Sequence, residues 1–130
     1  MQDLPDLADL LRTARASLLD DVLGAVPADR RRAVRMAASV LAIAERATAS
    51  AAASQAAEAR RFAALYPTRR GDSLAELNRR LAADIRAGRI DAACDPQGPL
   101  YRHLLATTIE KLRENNPRVL HPDERIDSGD

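Results

Sequence analysis

A formal net charge of +1 over 130 residues provides no global field to select a polyanionic partner. The length fits one domain with a single core, and the sole cysteine, Cys94, excludes an internal disulfide and favours a reducing compartment. No apolar run is long enough to span a membrane, and the N-terminus lacks the basic-then-apolar order of a signal peptide, so the expected location is the cytoplasm.

The first predicted helix covers 4–23. Asp3 is placed to cap it, with Pro5 in the first turn. Leu7, Leu11, Ala14, Leu18 and Val22 recur at helical spacing, and Gly24 is a natural stop. Two arginines against five aspartates give this segment a charge of about −3.

The stretch from Pro27 to Tyr66 holds no further glycine or proline and is rich in alanine. Alanine, leucine, methionine, glutamate and arginine keep most of their side-chain freedom in a helix, so this stretch is the central element. Its net charge is about +4. Ala33, Met36, Ala37, Val40, Leu41, Ile43, Ala44 and Ala47 form one broad apolar face, with Arg32, Arg35, Ser39 and Arg46 opposite. One continuous helix would span roughly 57 Å, against about 36 Å for a compact chain of this size. A break near 50–54 is therefore expected, giving helices over 27–49 and 52–66.

Pro67 to Gly71 reads as a turn. Ser73-Leu-Ala-Glu76 is a capping box, and Leu74, Leu77, Leu81 and Ile85 form the stripe of a helix that Gly88 ends. Asn78 falls inside that stripe. Asp91 to Gly98 reads as a loop. The last helix starts near Pro99, with Tyr101, Leu104, Leu105, Thr108 and Leu112 facing inward and His103 pointing away. Asn116-Pro117 ends it. The segment 117–130 has little to bury and is expected to be a flexible tail on a domain of residues 1–116. The expected fold is an all-α, up-and-down bundle of four to five helices around a long central helix.

Catalytic chemistry finds little support. His103 and His121 are far apart, and Cys94 has no neighbouring base and lies beside Asp95, so it is a poor nucleophile. Zinc needs about four ligands at characteristic spacing, and none appears. There is no phosphate-binding glycine loop. No catalytic residue, metal or cofactor is assigned. Nucleic-acid binding is not expected either, for want of a basic domain or stacking aromatics.

Two sets of residues are candidates for binding. Arg32 and Arg35, with Arg46, could take a carboxylate or phosphate in their planar forks. The plainer account is a solvated helix face paired with Asp20 and Asp21. Asn78, with Thr108, Lys111 and Asn115 at helical spacing, would converge if their helices pack. They would then form a small polar pocket or a hydrogen-bonded contact that sets helix register.

Several stretches carry a resemblance: Met1-Gln-Asp-Leu-Pro-Asp6, Arg35 to Arg46, Leu74 to Asn78 through Ile85 to Gly88, and Leu104 to Pro117. Through these the chain resembles a bacterial family of short helical domains of unknown function. That family is encoded near acyl-CoA dehydrogenases and aminoglycoside-phosphotransferase-like kinases. The resemblance implies an accessory role in acyl-CoA or phosphotransfer metabolism and brings no catalytic residues with it. The expected function is a non-catalytic interaction domain, self-associating or docking on a metabolic enzyme, with Ala47–Ala57 as the contact. The alternative is a binding domain for an anionic metabolite such as an acyl-CoA or phosphorylated compound.

Overall fold

The computed structural model describes residues 6–66, 71–91, 95 and 97–122. All regular structure among them is helical. Helix α1 comprises Leu7–Ser17, a π-helical segment Leu18–Val22 and a closing α-helical turn Leu23–Ala25. Helix α2 is Arg31–Leu65, α3 is Leu74–Arg86 and α4 is Pro99–Asn115, followed by a 3-10 turn over Pro117–Val119. The architecture is an all-α helical bundle. The contacts form two compact units, Met1–Ala51 and Ala52–Asp130.

The first unit holds α1 and the first part of α2. Asp6 caps α1 by accepting a hydrogen bond from the Asp9 amide at 2.8 Å. Asp3 and Pro5 lie outside the described residues. Ala8, Leu11, Leu18, Leu19, Leu23 and Val26 are the less exposed apolar residues, whereas Leu7, Ala14 and Val22 are exposed. The π-helical turn explains the change of register. It takes in one extra residue, so the sheltered position one turn beyond Leu18 and Leu19 is Leu23 and not Val22.

On α2 the sheltered residues of this unit include Val34, Ala38 and Leu41. Glu45 accepts from Arg12 Nε at 2.8 Å, tying α2 to α1. Ala33, Met36, Ala37 and Val40, expected to face inward, are exposed. Apolar residues surround this part of the helix, so the wheel alone does not choose a face. Ala8 and Ala38 are the only fully buried apolar residues described in this unit.

The expected break in the central element does not occur. Residues 47–57 continue the helix, and the boundary between the two units falls within it. Alanine is the strongest helix former, and small side chains there bury little area that would reward a turn.

The second unit has a better-filled core. Phe62, Tyr66, Leu81 and Leu100 are buried together, with Leu65, Leu74, Leu77 and Ile90 packed against them. The capping box forms as expected. Glu76 N–H donates to Ser73 Oγ at 3.3 Å, and Ser73 N–H donates to the Glu76 carboxylate at 2.8 Å. The Ser73 hydroxyl also donates to that carboxylate at 2.7 Å, and the two bonds it accepts from Ser73, the backbone one foremost, hold the Glu76 carboxyl below its usual range. Helix α3 ends in a left-handed turn. Gly88 has φ 67°, Gly88 N–H donates to the Ile85 carbonyl and Arg89 N–H to the Asp84 carbonyl. These are the two bonds of a Schellman motif, which favours glycine at that position.

Beyond Asn116 the expectation of an unburied segment fails at Leu120, which is buried. Cys94 and the rest of the expected tail, 123–130, lie outside the described residues, as does most of the turn 67–71.

Candidate functional site

Helix α4 packs in the opposite sense to the one its apolar pattern predicts. Leu100 and His103 are buried, and Thr107, Glu110 and Glu114 on the same side are half-buried. Tyr101, Leu104 and Leu105 are 44%, 39% and 45% exposed. Two contacts account for the choice of face. The His103 ring sits 4.5 Å from the Phe62 ring, and Glu110 accepts two hydrogen bonds from the Arg61 guanidinium, at 2.9 and 2.8 Å. A bidentate Arg–carboxylate pair fixes geometry as well as adding energy. His103 therefore points inward, and burial lowers its pKa, with the neighbouring Arg61 charge adding to the effect.

Helix α3 shows a smaller departure. Ile85 is exposed and Asp84, one residue earlier, is buried. Asp84 accepts from Tyr66 Oη at 2.6 Å and from Arg89 Nε at 2.8 Å, and Arg80 lies 3.6 Å away. The Schellman turn brings Arg89 back to that carboxylate. The Arg80 guanidinium lies 4.6 Å over the Tyr66 ring. Within this cluster the Asp84 carboxyl is held below its usual range, chiefly by the Tyr66 hydrogen bond and then by Arg89. The Tyr66 phenol is raised to about 12 by burial and by Asp84. The Asp84 carboxylate is satisfied by Tyr66 and Arg89, while Arg80 Nη1 is buried without a hydrogen-bond partner; the cluster is a fastening between the end of α2 and α3.

Arg32 and Arg35 line a shallow groove of about 350 Å³ with Met36, Ser39, Val40 and Ile43. Among the described residues neither guanidinium makes a hydrogen bond or ion pair, so the expected pairing with Asp20 and Asp21 is absent; Asp21 instead accepts from Ser17. Arg46 does not line that groove. The other candidate set is held separately. Asn78 donates to Glu58 at 2.7 Å and to the Leu74 carbonyl. Thr108 donates to the Leu104 carbonyl, and Lys111 pairs with Glu114 at 3.3 Å. Asn115 is exposed, and no hydrogen bond joins Asn78 to Thr108, Lys111 or Asn115. Among the described residues no group of three His, Cys, Asp or Glu could hold a metal ion, and no helix is long and apolar enough to cross a membrane.

The helical stretch that carries these features, residues 24–119, matches a family described as a domain of unknown function, DUF6285. The chain belongs to that family. The comparisons with curated proteins and with solved structures return no match. This chain carries three polar fastenings: Arg61–Glu110 and the Tyr66–Asp84 cluster within the matched DUF6285 residues, and Arg12–Glu45, whose arginine precedes them. Its most exposed apolar surface in the second unit includes one face of α4.

Proposed function

We propose that this domain is a non-catalytic interaction module, and that a second copy of the chain occupies the exposed face of α4. The observation that carries the reading is the outward placement of Tyr101, Leu104 and Leu105 while His103 is buried. Each of these three apolar side chains is about two-fifths exposed, so a partner that covered it would add on the order of 1 kcal/mol per side chain, less than half the value for a fully exposed one. Charge favours self-pairing at this face. Tyr101, Leu104, Leu105, Thr108 and Leu112 carry no formal charge, and Lys111 at the edge of the face is paired with Glu114 at 3.3 Å, so like-charge repulsion between two copies is small. The groove on α2 is a poorer choice, because Arg32 and Arg35 border it and two copies would bring four guanidinium groups together. The contact is thus moved from Ala47–Ala57, whose small side chains bury little, to α4.

Sedimentation tests the proposal. The wild-type chain is expected to dimerise reversibly, and Leu105→Glu to sediment as a folded monomer. A wild-type chain that stays monomeric at every concentration would contradict it. An accessory role beside acyl-CoA or phosphotransfer enzymes is carried by the family resemblance.

A second reading, binding of an acyl-CoA or phosphorylated compound, rests on Arg32 and Arg35. Both line the α2 groove with no partner of their own. A ligand at a hundred times its dissociation constant stabilises by about 2.7 kcal/mol, so a thermal-shift screen with such compounds decides it.

A further inference from the structure

A cleft of about 430 Å³ lies between the last turns of α2 and the first turn of α4. That volume is in the range that holds small organic ligands. Its cations come from both helices, Arg60 and Arg61 from α2 and Arg102 from α4, and no carboxylate lines it. The three arginines differ in what they already hold. Arg61 is committed to Glu110. Arg102 uses only Nε, donating to the Gln97 carbonyl at 2.7 Å. Arg60 is exposed and makes no hydrogen bond or ion pair.

His103 lines the same cleft. It is 2% exposed, and its Nδ1 is buried without a hydrogen-bond partner, as is Arg61 Nε. Buried polar side-chain atoms are nearly always hydrogen-bonded, so these two atoms leave hydrogen-bonding capacity beside the cleft that the chain itself does not use. The N-terminus of α4 already has a carboxylate beside it, Asp95, which accepts from the Gln97 amide at 3.2 Å. Ala57, Ala64 and Pro99 give the remaining wall an apolar character.

We infer that this cleft binds a small organic anion, an apolar body bearing one carboxylate or phosphate group. Arg60 and Arg102 hold the charge, the His103 imidazole hydrogen-bonds the anionic group, and the apolar body lies against Ala57, Ala64 and Pro99. The site is separate from the Arg32–Arg35 groove and lies on residues other than the exposed apolar stripe of α4.

The test follows the imidazole signals by NMR, with hexanoate, hexyl phosphate and inorganic phosphate as probes. Only two histidines are present, so His121→Asn leaves His103 as the single imidazole. A saturable shift is expected with at least one organic probe, with a dissociation constant of about 1 mM or tighter. Binding should be at least tenfold weaker for inorganic phosphate, and at least tenfold weaker in the Arg60→Gln/Arg102→Gln double variant. Whichever organic probe binds more tightly identifies the anionic group. The inference is overturned if the imidazole stays put with every probe, if inorganic phosphate binds as tightly as the organic anions, or if the double variant binds like wild type. Both arginines are exposed, and an unchanged His103–Phe62 cross-peak confirms that the double variant is folded.

Discussion

The phenol of Tyr66 donates to the Asp84 carboxylate at 2.6 Å, joining the last residue after α2 to the buried side of α3. Tyr66→Phe removes that hydrogen bond and leaves the ring packing in place. The acceptor is charged, so the expected loss is about 1.5–3 kcal/mol, a fall in melting temperature of roughly 5–15 °C. Alkaline titration provides a second check. The folded phenol titrates at about 12, against about 10 in the unfolded chain. The folded state therefore holds the proton longer, and stability is lost as pH rises from about 10 to about 12. Tyr66→Phe should remove that contribution, measured as denaturant midpoint against pH.

On the acid side His103 acts with the opposite sign. Its folded pKa is depressed by burial and by Arg61, with Glu58 and Glu110 partly offsetting. Below about 6.5 the unfolded chain binds a proton that the folded chain does not, so stability falls as pH drops through that value. His103→Phe should flatten the slope between neutral pH and the point where the folded imidazole protonates. Calorimetry at a series of pH values reads the difference.

Asp84 and Glu76 have depressed folded pKa values. Each contributes stability above about 4, which is lost as pH falls through its folded pKa. Asp84→Asn should destabilise the domain at neutral pH and flatten the limb below about pH 4. Ser73→Ala removes the cap acceptor of α3 and should cost about 1 kcal/mol, read as a shift in urea midpoint with unchanged slope.

Phe62 is the most buried apolar side chain described and touches both Tyr66 and His103. Phe62→Ala should cost about 3–5 kcal/mol. The same substitution at exposed Met36 should move the urea midpoint little. Comparable losses at the two positions would mean that the sheltered face of α2 is wrongly placed.

Local signals placed α3 and the start of α4, but not the end of α1 or the start of α2: Gly24 lies inside a helical turn, and α2 opens at Arg31 and not at Pro27. The capping box at Ser73, the proline opening α4 and the glycine ending α3 act within a few residues, and each sits where its chemistry requires. Choosing which face to bury was harder. In α4 a leucine-rich face competes with one carrying His103 and Glu110, and their partners Phe62 and Arg61 lie 41 and 49 residues earlier, beyond any periodicity window. In α2 apolar residues surround the axis, and Arg12 selects the Glu45 side. In α1 the π-helical turn shifts the register by one residue, which an evenly stepped wheel does not reproduce. The absence of a break at 50–54 follows from alanine propensity outweighing the argument from compactness. The cleft at His103 was not found in sequence because that histidine was assigned to the solvent side. Its one sequence signal was Arg60, Arg61 and Arg102 falling on two predicted helices.

The placement of α4 underlies both the self-pairing face and the cleft, and a nuclear Overhauser measurement tests it most directly. Phe62 is the sole phenylalanine, so its ring protons are identifiable. Strong cross-peaks between the Phe62 ring and the His103 imidazole are predicted, with none from Phe62 to the methyl groups of Leu104 or Leu105. Cross-peaks from Phe62 to those leucine methyls, with the His103 imidazole silent, would contradict the account.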